Sequence, residues 1–355
     1  MNIISVRDKE LTRLTEYFDF NQIEYNLEDL WNPNLDTYGR NELKSNLLDN
    51  DPTLLILSGN IFLKLCSWEP SFTQFIKFCS QNNKIWVWND VDSLVGAMIS
   101  QIIISKLDSH IPVDVVSIFL DGEISDRHPL TKLKNIQLKS FPYNFFLHQP
   151  RIQNAIVDKH DCSRDFMLTT VKKPGRPHRD ILWNQLNAID GLIDRGHVNY
   201  DLGKNRIGQQ SHQHAWSDGH PSMDLYKDSW LEIAPETLYR DGYFITEKTV
   251  KPIATKTPFL TVSTRFYLEY LQQQGFQTFS NIIDESYDRQ PLVEDRIRLM
   301  LEQLQDIIRN GSKEFYKECA SVLEHNQNRL LEINGCKQYV MDIFIAKQLE
   351  QLGIK

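Results

Sequence analysis

Residues 229–262, SWLEIAPETLYRDGYFITEKTVKPIATKTPFLTV, carry the strongest chemical pattern in the sequence. An apolar strand leads through an acidic turn to Thr246, Glu247 and Lys248, which begin a predicted helix. The first turn of a helix attracts anions because its backbone N–H groups are free and its dipole is positive there. Lys248 adds a full charge, and Glu247 can accept hydrogen bonds from sugar hydroxyls. The pattern indicates a diphosphate site; composition alone favours the simpler interpretation of a capped helix with a solvated lysine.

A second group of cations lies upstream at residues 172–179, KKPGRPHR, with five potential positive charges in eight residues. It follows a predicted strand at 166–171 and begins a predicted helix at 178–189. Ligands of open α/β sheets bind beyond the carboxyl ends of the strands. Arg176 or Arg179 can hold a phosphate through two parallel hydrogen bonds. A solvated basic loop is the alternative, but two such patterns in one half of the chain favour a phosphate site.

The elements that would position these residues alternate between short apolar strands and helical stretches, which predicts an α/β fold with parallel sheets. In the first half we predict a helix over 91–106. The predicted strands of that half are 3–6, 54–57, 85–88 and 113–120. The predicted strands of the second half are 166–171, 198–200, 230–233, 244–245 and 258–262.

The chain length of 355 residues predicts two domains. A polar stretch near 150–165 marks the junction between them. We therefore predict domains at 1–155 and 156–335, followed by a helix over 336–355 that crosses back to the first domain.

Charge and composition exclude several classes of protein. A net charge of -8 argues against coating nucleic acid by bulk charge, although a local basic groove is compatible with it. Five scattered cysteines indicate reduced thiols, and no apolar run reaches membrane length. The first residues have no apolar core of signal-peptide length, so we expect no leader peptide. We expect a cytoplasmic protein with no membrane partner. No GxGxxG motif follows a strand, which disfavours a dinucleotide-dependent oxidoreductase.

Four motifs of the second half occur in the order found in one known family. The segment SWLEIAPETL…YFITEK…KPI…TPFLTV resembles the donor-binding signature of the alpha-1,3-fucosyltransferases. It resembles still more closely a group of fucosyltransferase-like proteins from bacteria, giant viruses and phages. The shared motifs are RPHR at 176–179, FITEKT at 244–249 with KPI at 251–253, GFQTF at 275–279 and DESYD at 284–288. The resemblance covers roughly 165–310 and says almost nothing about residues 1–150.

The resemblance implies a GT-B fold. This is an α/β fold of two Rossmann-like domains with a cleft between them, here with a helical C-terminal tail. The donor would lie in the second domain and the acceptor in the cleft. By the same resemblance Arg179, with Arg176 beside it, would contact the donor phosphate, Lys248 would bind the diphosphate and Glu247 the ribose.

Three further positions of the donor site follow from the motifs. Phe244 stands where the family has Tyr and would pack beside the nucleotide, and Thr246 would cap the helix that holds the diphosphate. Glu236 matches an acidic turn of the family, in which Thr237 replaces the usual Asn. These departures leave the nucleotide and the sugar open, with a UDP donor favoured over a GDP donor.

Sugar transfer builds positive charge on the sugar and negative charge on the leaving diphosphate. Arg179, Lys248 and helix N–H groups would stabilise the latter, so we expect neither a metal nor another cofactor to be required. Asp90-Val91-Asp92 is a DxD sequence at the end of a predicted strand, and its context is unconvincing for a metal site. A base on the first domain must deprotonate the acceptor. We rank Asp121 and Asp90 first, although strand-end aspartates are more commonly caps or turn residues.

The acceptor is less determined than the donor. One candidate is 5-hydroxymethylcytosine in phage DNA, which would receive arabinose or another sugar in the cytoplasm of an infected host. This rests on analogy with phages that glycosylate such bases. The alternatives are a glycan- or protein-directed fucosyltransferase-like enzyme and a catalytically inactive module that binds a sugar nucleotide.

Overall fold

The structure is a computed structural model that describes residues 3–6, 26–28, 54–59, 62–63, 66, 69–81, 84–90, 98–124, 128–140, 157, 159–169, 176–199 and 223–351.

The chain forms two compact units. The first consists of Met1–Pro142 together with Tyr339–Lys355, and the second of Tyr143–Gln338. The boundaries at 155 and 335 stay predictions, because the residues around the first of them lie outside the described part of the chain.

The first unit is built on a sheet of six parallel strands in the order β2-β1-β3-β4-β5-β7. Its central strands are apolar runs buried on both faces, which is typical of a parallel sheet. Its strands are β1 (Ile3–Val6), β2 (Asn26–Glu28), β3 (Leu54–Ser58), β4 (Lys84–Asp90), β5 (Val116–Asp121) and β7 (Ile136–Ser140). The remaining elements are α1 (Glu69–Ser80), α2 (Met98–Asp108), the short strand β6 (Glu123–Ile124) and a 3-10 turn, Pro129–Lys132.

The C-terminal helix α9 (Ala320–Gln351) ends among the aromatic residues of the first unit. Phe344 meets Trp88 and Phe119 edge-on, with ring centroids 6.2 and 5.7 Å apart. Trp88 stacks on Phe119 at 4.7 Å and is 5% exposed. These ring contacts place Trp88 in the core of the first unit.

The second unit contains four parallel strands in the order β12-β10-β8-β9. The strands are β8 (Arg164–Thr169), β9 (Gly196–Asn199), β10 (Ser229–Pro235) and β12 (Phe259–Val262). A two-residue strand, β11 (Gly242–Tyr243), lies outside this sheet. The helices are α3 (Pro177–Asn187), α4 (Met223–Lys227), α5 (Glu247–Ala254), α6 (Tyr267–Gln273), α7 (Val293–Asn310) and α8 (Ser312–Glu318). Two 3-10 turns, Ile193–Arg195 and Glu285–Arg289, complete the unit.

These two units confirm the predicted α/β class with two Rossmann-like parallel sheets; the cleft between them stays a prediction.

The strand predicted at 244–245 is wrong, because the pairing ends at Tyr243 and the chain continues from there to the start of α5. The helix predicted at 91–106 corresponds to α2, Met98–Asp108, and residues 91–97 lie outside the described part of the chain. Asp284 is the N-cap residue of the 3-10 turn Glu285–Arg289, and its side chain accepts the Ser286 N–H at 2.8 Å. Within the described ranges, no helix has both the length and the apolar character needed to cross a bilayer.

Gly196, at the start of β9, gives a test of the packing in the second unit. A Cβ atom at this position would lie 2.5–2.9 Å from ring carbons of the fully buried Phe166. We expect Gly196→Ala to lower the free energy of unfolding by about 1–3 kcal/mol, the usual cost of overpacking. In urea denaturation, Phe166→Leu should absorb part of that loss, so that the two substitutions together cost less than their sum. Strict additivity would show that the clash is not the cause.

Candidate functional site

The turn after β10 is organised by Glu236, whose side chain is fully buried. Its carboxylate accepts hydrogen bonds from the Thr246 N–H (3.1 Å), the Thr249 hydroxyl (2.6 Å) and the Tyr267 hydroxyl (3.0 Å). The Thr246 hydroxyl and the Thr237 N–H also donate to it. Because its oxygens are taken up by these donors, Glu236 fixes the start of α5 on the end of β10.

The start of α5 carries the lysine–glutamate pair that the sequence singled out. Thr246 is the N-cap residue, and its side chain accepts the Lys248 N–H, which confirms the predicted cap. The ammonium of Lys248 lies 2.6 Å from the Glu247 carboxylate and 3.3 Å from the Thr237 hydroxyl. The two side chains are only 10% and 17% exposed. Burial alone would raise the pKa of Glu247, but Lys248 and Lys251 outweigh burial and lower it, so the residue is an anion at neutral pH.

The start of α3 is attached to the same turn through His178. Its Nε2 lies 2.9 Å from the Glu236 carbonyl oxygen, and its ring stacks on Tyr239 with centroids 4.8 Å apart. Burial lowers the pKa of His178 to about 3, and although the Glu236 carbonyl opposes the shift, nearby Arg179, Arg176 and Lys248 add to it. His178 is therefore neutral, and its Nε2–H donates to the Glu236 carbonyl. Counting His178 among the five potential positive charges of residues 172–179 was wrong.

Arg176 and Arg179 stand at the first residues of α3, Arg176 as the N-cap residue. Arg179 is 5% exposed and Arg176 is half-buried. The hydrogen bond from His178 to the Glu236 carbonyl brings the start of α3 to the turn that also holds the start of α5. Lys172 and Lys173 lie outside the described residues.

A cavity of about 20 Å³ lies where the carboxyl ends of two parallel strands face the first turns of α5. This volume accommodates about one water-sized group. It is lined by Thr169, Glu232, Ile233, Pro235, Glu247, Lys248 and Lys251. Sequence reasoning missed Glu232 and Lys251. The available signals were an acidic residue inside an apolar strand, and a lysine one helical turn after Lys248 on the same face.

Comparison with known proteins gives a likeness of fold and no family assignment. No family model and no curated protein matches the chain. Membership of the fucosyltransferase-like group therefore stays a prediction.

Among solved structures, the chain is similar to the DNA-modifying enzyme beta-glucosyltransferase, with a TM-score of 0.45, 12% identity and 100% of both chains covered. It is also similar to T4 phage BGT in complex with UDP-glucose, with a TM-score of 0.42, 11% identity and coverage of 97% and 98%. A third is S. aureus MnaA with UDP, with a TM-score of 0.37, 9% identity and coverage of 96% and 97%. At such identities the likeness concerns the fold alone.

The two predicted general bases occupy neighbouring positions in the first unit. Asp90 ends β4, Asp121 ends β5, and the two residues are register partners in adjacent parallel strands. Both lie at the carboxyl edge of the sheet, where α/β proteins bind ligands. Phe244 is half-buried in the second unit, two residues before the α5 N-cap. Among the residues that the structure describes, no three His, Cys, Asp or Glu side chains form a group that could hold a metal ion.

Glu232 should leave a signature in the pH dependence of stability. Burial raises its pKa to about 7, while the Tyr226 hydroxyl, Lys251 and Lys159 counteract part of the rise. An unfolded glutamate titrates near 4.5, so between pH 4.5 and 7 the folded protein keeps a proton that the unfolded chain has released. The contribution of Glu232 to stability therefore falls as pH rises through this window, by about 3 kcal/mol.

We expect Glu232→Gln, which cannot ionise, to remove that fall. Urea denaturation at pH 5, 6, 7 and 8 should give a flatter stability profile than wild type. The exposed Glu318→Gln should keep the wild-type profile. A variant profile that parallels wild type would contradict the assignment of the buried proton to Glu232.

Proposed function

We propose that the protein is a glycosyltransferase that moves a sugar from a nucleotide-diphosphate sugar, a UDP-sugar in preference to a GDP-sugar, to an acceptor hydroxyl. The observation that carries the proposal is the attachment of two cationic helix starts to one turn. The His178 ring joins α3 to the Glu236 carbonyl, and the Glu236 carboxylate joins the same turn to α5. Arg179 and Lys248 therefore lie on two helix starts that are hydrogen-bonded to the same turn, and a pyrophosphate there would meet two positive charges and helix N–H groups.

The reaction follows from the charges. The acceptor oxygen forms a bond to the anomeric carbon while the bond from that carbon to the diphosphate oxygen breaks, and its electron pair stays on the diphosphate. Arg176, Arg179 and Lys248 stabilise this leaving group, so we propose that no metal is required. The proton of the acceptor passes to a base on the first unit, and we propose Asp121 or Asp90 for this step. Glu247 accepts hydrogen bonds from the ribose, and Phe244 packs beside the nucleotide base.

For the acceptor we propose 5-hydroxymethylcytosine in phage DNA, modified with arabinose or another sugar in the cytoplasm of the infected cell. The support is the sequence resemblance to a group that includes phage proteins. A base inside a duplex must be turned out of the stack before its hydroxymethyl group can react. Because the net charge of the chain is -8, DNA binding would depend on a local basic groove and would weaken as salt rises.

A thermal-melting panel with UDP-, GDP- and CMP-sugars tests the donor. A ligand at a hundred times its Kd adds about 2.7 kcal/mol of stability, so UDP-sugars should raise Tm by on the order of 5 °C. Absence of stabilisation by any nucleotide sugar would reject the proposed site.

Product analysis by mass spectrometry tests transfer, with plain and hydroxymethylated duplexes incubated together with the stabilising donor. Sugar on the hydroxymethylated duplex alone supports the DNA acceptor. Transfer to glycan or protein hydroxyls would support the fucosyltransferase-like alternative. Donor binding with neither transfer nor hydrolysis would indicate an inactive binding module.

A further inference from the structure

The cavity at the start of α5 contains a second lysine, Lys251, that the motif-based site does not use. It lies one helical turn after Lys248, and both lysines line the cavity together with Glu247 and Glu232. Lys251 is 8% exposed, so its ammonium is withdrawn from bulk water. Two ammonium groups on one face of the first turns of a helix concentrate positive charge where the helix dipole is also positive.

Glu232, in β10, lines the same cavity. It is 4% exposed, and its Oε2 accepts the hydroxyl proton of Tyr226 at 2.6 Å. The charged groups that act on it are Lys251 and Lys248, from α5, and Lys159, from the segment before β8. Tyr226, on α4, is fully buried and donates this hydrogen bond. The carboxyl group of Glu232 is therefore held in place in the cavity that Lys248 and Lys251 also line.

We propose that Lys251 is a second cation of the donor-diphosphate site and that Glu232 is its positioning residue. The inference rests on the proposed donor site and extends it. A cavity of about 20 Å³ is too small for a sugar nucleotide but admits one phosphate oxygen. That oxygen would lie between Lys248 and Lys251, while the rest of the nucleotide lies outside. Glu232 holds Lys251 toward the cavity when no anion is present.

The first experiment compares UDP with uridine, because the two differ only in the diphosphate. By isothermal titration, wild type should bind UDP much more tightly than uridine. Lys251→Met should lower UDP affinity by about 10- to 100-fold, the value of one charge-assisted hydrogen bond, and leave uridine affinity unchanged. Lys251→Arg, which keeps the charge, should retain most of the preference. The exposed Lys227→Met is the matched charge-removal control and should behave as wild type.

The outcomes separate the two claims. If wild type binds neither UDP nor a UDP-sugar, the donor site itself is wrong. If wild type prefers UDP to uridine and Lys251→Met keeps the full preference, the donor site stands and the role of Lys251 is rejected. If Lys251→Met does not fold, Lys251→Arg and the next experiment test the proposal instead. Loss of the preference for UDP over uridine in Lys251→Arg, together with an unchanged pH dependence of UDP affinity in Glu232→Gln, would overturn it.

The second experiment tests Glu232 through pH. Above pH 7 its carboxylate adds a negative charge beside the bound phosphate and competes for Lys251. UDP affinity of the wild type should therefore fall by about tenfold more between pH 6 and 8 than that of Glu232→Gln, which stays neutral. A purely structural role would shift the affinity of the variant equally at all pH values, and such a parallel shift would reject the positioning role.

Discussion

Lys248→Ala and Arg179→Ala are each expected to weaken binding of the nucleotide-sugar donor by about 10- to 150-fold while the protein stays folded. Each substitution would remove the proposed charge-assisted hydrogen bond to phosphate, and such a bond contributes about 1.5–3 kcal/mol. Lys248→Ala has a further cost, because Glu247 is 17% exposed and would lose the ammonium 2.6 Å away. The uncompensated carboxylate would then repel the diphosphate. Isothermal titration with UDP measures the loss, and thermal melting shows whether the fold persists.

Two comparisons make this prediction sharp. Adding Glu247→Gln to Lys248→Ala removes the unpaired negative charge, so part of the lost UDP affinity should return, although ribose binding will be weaker. Arg309→Ala is the matched control for the arginine, because Arg309 lies in the same unit, is 71% exposed and pairs only with a neighbour on its own helix among the described residues. Unchanged UDP affinity in both Lys248→Ala and Arg179→Ala would remove the basis for the donor site.

The parts of the site that the sequence predicts are those with local causes. The Thr246 cap, the place of Glu247 and Lys248 in the first turn of α5, and the helix after Arg176 depend on residues within one or two turns of each other, so spacing and residue type are sufficient to place them. The main strands of the second sheet were likewise found from short apolar runs.

The parts that the sequence does not predict depend on distant residues. Glu236 reads locally as a turn residue, yet its donors lie 10, 13 and 31 positions away along the chain. His178 reads as a cation but is neutral, because burial beside Arg179 and Lys248 disfavours its charge. The edge strand β7 has an unremarkable sequence, and its start is fixed by Asp108, whose carboxylate accepts the Asn135 and Ile136 N–H groups at 2.7 and 2.8 Å.

Glu236→Ala is expected to cause the largest loss of stability in the second unit, about 3–5 kcal/mol in the free energy of unfolding. The substitution leaves the Thr246 N–H and the hydroxyls of Thr249 and Tyr267 without their acceptor in a buried environment. Each buried donor left unsatisfied costs about 1–3 kcal/mol. Glu236→Gln keeps one carbonyl oxygen, and the hydroxyl groups can rotate to accept from its amide, so it should cost less. Urea denaturation at pH 7 measures both, with Glu302→Ala, an exposed glutamate of the same unit, as the control.

The same variants decide whether Glu236 acts on the donor directly or through α5. If Glu236 only holds the start of α5, Glu236→Gln should weaken UDP and the UDP-sugar by the same factor, because both depend on the position of Lys248. If Glu236 touched the sugar, the UDP-sugar would lose more affinity than UDP. The hydrogen bonds favour the first outcome, since the carboxylate already accepts from Thr246, Thr249 and Tyr267 and is fully buried. A loss of less than 1 kcal/mol in Glu236→Ala would mean that these bonds do not hold α5 in place, and the rigid arrangement of Arg179 and Lys248 would then lack its physical cause.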